Sequence, residues 1–388
     1  MKTRTRKTTR VLCASAIAMM TLLSSAAPAF AVNNDEQATT ASVATNKTFT
    51  FNKFLKLKKD AKVPPAEFNF SVASNDTGDG TEVDGYTVFK GVGNPTIGEA
   101  TFTSAQTTFD SKQGNDDINL PEGYKYAKSN VTVNFNDVTF ERPGIYRYTI
   151  TENAGSKYFT SDTSTKYLDV YVYNDRDITY IMHKENNLFT TNDVANKDTK
   201  ITSITNTYNT QNLSVKKEVD GNQAVEDDFF KFTVNITDLA PGADIEATGL
   251  DETKNTLKSW TASNKGTVTA EIYLSENSGA ATFTGLTSGA KYTVTEEKST
   301  YTPAAVVNGK KATLTATLND ASSLGDTRAI SGDADNVVFT NTKNGTIPTG
   351  IYLNHKLPFN IAGIAILGGA ISLFAKKRHD ALEEDDDE

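Results

Sequence analysis

The sequence predicts an all-β chain folded as two tandem β-sandwiches, and three observations carry that expectation. Threonine, tyrosine, phenylalanine and valine are plentiful, while helical periodicity is nearly absent. Short alternating runs recur between turn-rich patches, the pattern of strands with one buried face. The theme is then played twice: "FTFNKFL", "FNFSV", "VTVNF", "YRYTIT", "YLDVYVY", "ITYIM" and "SITNTY" come first, and "LSVKKEV", "FKFTVNI", "TVTAEIYL", "ATFTGL", "KYTVTEE", "ATLTATL" and "NVVFTNT" follow. Roughly 300 residues in short strands is enough for two sandwiches with separate cores.

The chain opens with Lys2, Arg4, Arg6, Lys7 and Arg10, then an apolar run from Val11 to about Leu23, then "APAFA". Ala29 and Ala31 fit the small-x-small cleavage rule, so residues 1–31 read as an export signal. Residues 32–46 form a linker, 47–209 the first sandwich and 210–343 the second, the halves meeting near Asn209–Asn212. Residues 344–350 hold a motif, Ile347-Pro348-Thr349-Gly350, and 351–388 hold a spacer, a membrane segment and a charged tail. The seventeen residues from Phe359 to Ala375 carry no charge, and Lys376, Lys377 and Arg378 follow as a positive stop. Pro348 disfavours helix and keeps the approach to this segment extended.

Composition removes several classes of function. The single cysteine, Cys13, lies in the signal, which leaves no disulfide, thiol nucleophile or cysteine metal site for the exported part. Between Val32 and Thr349, 30 Lys and Arg face 41 Asp and Glu, a net charge of −11. Such a balance excludes nucleic acid as a partner. The three histidines, His183, His355 and His379, are far apart, and no hydrolase, phosphate-loop or dinucleotide motif is present. The "SDTST" stretch reads as a Ser/Thr-rich turn rather than a metal site. No cofactor or metal is expected, and no enzyme activity.

Period-two alternation places six polar side chains on faces that should be buried. Lys53 shares parity with Phe49, Phe51, Leu55 and Leu57. Glu152 shares parity with Tyr146, Tyr148 and Ile150, and Asn206 with Ile204 and Tyr208. The second half repeats the order with Lys217 beside Leu213, Val215 and Val219, Glu296 beside Tyr292 and Val294, and Asn341 beside Val337 and Phe339. An unpaired ammonium in a core is costly. In an apolar site the lysine pKa falls and the glutamate pKa rises. A neutral amine is a nucleophile, and a neutral carboxyl can donate to an asparagine carbonyl. Attack would expel ammonia and leave a Lys–Asn isopeptide bond, with Glu152 or Glu296 shuttling the proton and proximity supplying much of the rate.

On these residues the chain resembles the two-domain major (backbone) pilins of Gram-positive bacteria, of the streptococcal isopeptide-linked type. "VTFERPGIYRYTITEN" resembles the signature of the pilin isopeptide-linkage domain and ends on Glu152. "SITNTY" resembles the closing strand that supplies Asn206, "LSVKKEVDGN" the opening strand that supplies Lys217, and "VVFTNTKNGTIPTG" the end of such a pilin, with Asn341 ahead of the motif. Lys56 and Lys58 lie close to Lys53, and parity favours Lys53. The order of "IPTG", apolar span and basic stop resembles a cell-wall sorting signal, although "IPTG" departs from the common LPxTG.

The resemblance implies immunoglobulin-like domains of the collagen-adhesin B type, with first and last strands side by side. It also implies that a sortase cleaves between Thr349 and Gly350 and passes the Thr349 carbonyl to the amine of Lys184 in "ITYIMHKEN" on another subunit. Lys166, Lys197 and Lys200 are neighbouring candidates for that acceptor. The implied partners are further copies of the chain, a pilin sortase, a housekeeping sortase, peptidoglycan, minor or tip pilins and host surface ligands. The expected location is the cell wall and the surface pilus, after transient membrane anchoring. The leading expectation is therefore the shaft subunit of a covalent pilus. The alternative is a wall-anchored adhesin or minor pilin that displays a host-ligand surface on the same sandwiches.

Overall fold

The computed structural model describes residues 47–188, 200–316 and 321–345. The export signal, the motif Ile347–Gly350 and the apolar segment 359–375 lie outside the described residues. Strands dominate, and among the described residues the helical content is a single 3-10 turn, Glu276–Ser278.

Two sheets are built from strands before Asn209. The first runs Phe159–Thr160, Ser203–Tyr208, Thr48–Lys58, Tyr124–Asn134, Thr96–Ile97 in spatial order. The second runs Lys200–Ile201, Ile178–His183, Lys166–Val172, Gly144–Glu152, Tyr86–Lys90, Glu82–Val83, with Phe70–Ser74 also paired to Gly144–Glu152. Two more sheets are built from strands after Asn209. One contains Ser259–Thr261, Asp244–Thr248, Ala280–Thr287, Thr210–Asp220, Ala334–Thr342, Thr302–Val307 and Lys310–Ala312. The other contains Val268–Leu274, Phe230–Thr237, Lys291–Glu296, Ser322–Leu324 and Leu314–Ala316. Each pair of sheets encloses its own aliphatic and aromatic core. The all-β sandwich expectation is what the structure shows.

The arrangement that matters for function is the pairing of first and last strands. In the first sandwich the opening strand Thr48–Lys58 lies parallel to the closing strand Ser203–Tyr208, with Lys53 opposite Ile204 and Leu55 opposite Asn206. In the second, Thr210–Asp220 lies parallel to Ala334–Thr342, with Lys217 opposite Phe339 and Val219 opposite Asn341. The offset is the same in both: each asparagine stands two positions beyond its lysine along the strand pair. Because side chains alternate with period two, that offset puts lysine and asparagine on one face, the core face.

The glutamate strands come from the facing sheets. Gly144–Glu152 begins at a glycine with φ 154°, where an added Cβ would sit 2.6 Å from the Thr87 carbonyl oxygen. That close approach lets the strand pair with Tyr86–Lys90. In both sandwiches the glutamate pairs across its sheet with a phenylalanine, Glu152 with Phe70 and Glu296 with Phe232.

On the outward faces of the first sandwich, alternation alone does not give exposure. Phe54 and Arg147 both fall on faces that alternation assigns to solvent, yet both are fully buried. Phe54 packs with Tyr126, Ile118, Phe109 and Leu120 under the 103–120 segment. Arg147 sits opposite Asp169 in the sheet and is covered by the segments around Thr77 and Asn187. Loops laid over a sheet turn its second face into a second, smaller core.

Candidate functional site

The six residues that alternation singles out fall into two buried clusters of three. Lys53, Asn206, Lys217 and Asn341 are each 0% exposed, Glu152 2% and Glu296 1%. A lysine this deeply enclosed cannot snorkel its ammonium to water. In the first cluster Lys53 Nζ contacts Glu152 Oε2, and Asn206 Nδ2 donates to Glu152 Oε1. One carboxylate thus bridges the amine and the amide. In the second cluster Lys217 Nζ lies 2.9 Å from Glu296 Oε1, and Asn341 Nδ2 donates to that same oxygen at 2.7 Å.

Aromatic rings form the wall of each site. Lys53 Nζ stands 5.0 Å from the Phe68 ring centroid and 5.8 Å from that of Phe70. Lys217 Nζ stands 4.3 Å from Phe230 and 6.0 Å from Phe232. The "FNF" and "FKF" stretches therefore play matching parts, a role that sequence reasoning missed although both were read as strands. The rings exclude water and offer a cation only quadrupole attraction. Burial accordingly pushes Lys53 and Lys217 down to about 8, against the opposing pull of Glu152 and Glu296. Burial also pushes Glu296 above its ordinary value, even though Lys217 and Asn341 favour its anion. Both shifts move the pair toward neutral amine and neutral acid, the forms that nucleophilic attack on an amide requires.

The two clusters treat the asparagine carbonyl differently. Asn206 Oδ1 accepts a hydrogen bond from the backbone N–H of Asp162 at 3.0 Å, and Asn206 Nδ2 also reaches Ser161 Oγ at 3.3 Å. Asn341 Oδ1 is buried with no hydrogen-bond partner among the described residues. The donor segment is part of the "SDTST" stretch that the sequence presents only as a turn.

Lys184 is exposed, one residue beyond the strand Ile178–His183. Its surroundings are held firmly. His183 Nε2 meets Asp169 Oδ2 at 3.0 Å, and Arg147 Nε donates to Asp169 Oδ1 at 2.8 Å. Arg147 also donates to the Asn187 carbonyl, while Asn186 bonds Asn75 and Thr77. Of the neighbouring candidates, Lys166 is 4% exposed and paired with Asp162, which removes it as a surface acceptor. Lys200 is exposed, and Lys197 lies outside the described residues.

A family profile described as a domain of unknown function, DUF7601, matches residues 211–343. The comparison with curated proteins gave no match. Among solved structures, the chain is similar to the major pilin of Streptococcus pyogenes, at 22% identity over 78% of this chain and 100% of that one, with a TM-score of 0.47. It is similar to the T-13 major pilin protein of the same species at 22% identity, over 78% of this chain and 100% of that one, with a TM-score of 0.46. A pilus-presented adhesin, Cpa, matches at 17% identity over 47% of this chain and 36% of that one, with a TM-score of 0.26.

Proposed function

We propose that the chain is the shaft subunit of a covalently polymerised cell-surface pilus, cross-linked internally by Lys53–Asn206 and Lys217–Asn341 isopeptide bonds. The observation that carries this reading is the pair of buried Lys–Glu–Asn clusters at one register on parallel first and last strands. In each, the neutral lysine amine attacks Cγ of the asparagine. The new C–N bond forms as the Cγ–Nδ2 bond breaks. One amine proton passes through the glutamate to the departing nitrogen, which leaves as ammonia. The product is a neutral amide, so the buried charge disappears with the reaction. Glu152 and Glu296 end as they began.

Each bond would close a loop that spans almost a whole sandwich. In the chain-entropy model a closure of this length constrains the unfolded chain by about 5 kcal/mol. The bond needs no oxidising compartment, unlike a disulfide. Lys184 is proposed as the amine that receives the Thr349 acyl group from a second subunit, its exposure and fixed surroundings supporting that role. A sortase and peptidoglycan are the partners this assembly requires.

Immunoblots of cell-wall extracts test the shaft role. The expected result is a high-mass ladder with the native chain and a single low-mass band with Lys184→Ala. A single band from the native chain would overturn it.

A further inference from the structure

Resting on the isopeptide reading, the geometry points to the backbone N–H of Asp162 as an oxyanion donor that serves only the first sandwich, held in place by an Asp162–Ser164–Lys166 brace. As the Lys53 amine adds to Asn206 Cγ, negative charge gathers on Oδ1. The Asp162 N–H is already 3.0 Å from that atom. A donor aimed beforehand at a developing oxyanion, in a site shielded from water, stabilises the transition state more than the ground state.

The donor belongs to a loop, and a loop needs fixing. Asp162 Oδ2 holds Lys166 Nζ at 2.8 Å, and Asp162 Oδ1 accepts from the Ser164 N–H at 3.2 Å and from Ser164 Oγ. Lys166 Nζ also contacts Ser164 Oγ. Lys166 is the first residue of a strand in the facing sheet, paired with Ile150, two positions before Glu152 on the same strand. The brace therefore ties the amide donor to the strand that carries the glutamate. Burial works against the Asp162 carboxylate, but Lys166 and Ser164 outweigh it and hold its pKa below the ordinary range. In the second sandwich Asn341 Oδ1 has no partner among the described residues. There Glu296 meets the amide at Nδ2, and no described donor backs the carbonyl.

The consequence is kinetic. The first bond closes faster than the second, because one preorganised donor is worth on the order of a hundredfold in rate. After closure the same N–H stays on the carbonyl of the new amide.

The test follows the native full-length chain through cell-free translation, with peptide mapping of both linked pairs over time. Asp162→Pro removes the N–H, and Lys166→Met removes the anchor of the brace. Both are expected to slow Lys53–Asn206 closure on the order of tenfold to a hundredfold while Lys217–Asn341 closure keeps its native rate. Lys166→Arg, which keeps the charge, is expected to restore most of the first-site rate. A general folding defect would slow both pairs and would not be rescued by arginine, so that outcome overturns the assignment. So does native-rate closure at the first site in Asp162→Pro and Lys166→Met. Failure of both links to form in the native chain would instead overturn the isopeptide reading beneath it.

Discussion

The two sandwiches hold the same three residue types at the same strand register, yet their sites are not copies. In the first, Glu152 spreads its two oxygens over two partners, Oε2 to Lys53 and Oε1 to Asn206, and a backbone N–H backs the asparagine carbonyl. In the second, Glu296 Oε1 accepts from Asn341 Nδ2 and lies 2.9 Å from Lys217 Nζ, and the carbonyl is left bare among the described residues. What repeats is what the sheets dictate: parity, parallel pairing, and an aromatic pair beside the amine. What differs is supplied by a loop. On the proposed reaction, the core geometry brings the groups together and the covering loop would set how well the transition state is held.

The sites also differ in where they lie along the proposed line of force. Tension between Lys184 and Thr349 follows the chain from 184 to 349. The Lys217–Asn341 link would bypass the 124 residue steps between those positions, whereas the Lys53–Asn206 link would close a loop that contains Lys184 and bypass none of that path. Single-molecule pulling between 184 and 349 breaks or sharpens this distinction, and it carries the largest expected effect. Glu296→Ala should add up to about 400 Å of extension on unfolding. Glu152→Ala should add no contour length, because the segment from 184 to 206 carries the load whether or not the first link is closed. Equal gains from the two variants would contradict the topology argued here.

A smaller effect, in pH, asks whether the sites differ in speed alone. Below about pH 8, Lys217 and Glu296 together hold one proton between the ammonium–carboxylate and amine–acid forms, and the latter reacts. Burial has brought Lys217 to about 8. Above that pH the proton leaves the pair, so the acid form vanishes and closure should slow by about tenfold per pH unit. Lys53 is also held at about 8 by burial, so the same pH series reads the first site beside the second. Unlinked chain from inclusion bodies, diluted into buffers from pH 6 to 10, provides the measurement. Closure that accelerates above pH 8 would remove the glutamate as proton donor and leave amine neutrality as the controlling step.

Much of this was legible in the sequence because strands obey a strict period. Once Phe51, Leu55 and Leu57 are assigned to a core, Lys53 must join them, and the same logic places Asn206 and Glu296. The fold class followed from the same alternation. The Asp162 donor left no trace, since a backbone N–H has no residue type and "SDTST" has the composition of any polar turn. The Arg147–Asp169–His183 cluster was missed for a different reason. It lies on the outward face of its sheet, and period two cannot tell an outward face open to water from one roofed by a loop. Phe54 lies on another such roofed face. Residue pattern thus reads the inner faces of sheets well and the loops laid over them poorly.

The most direct measurement of the central claim is the intact mass of the folded, exported chain, residues 32–349. The account predicts a mass short by two ammonia molecules, with Glu152→Ala and Glu296→Ala each restoring one. A native chain at the full summed mass of its residues, with Lys53 and Lys217 open to acylating reagents after unfolding, would contradict it.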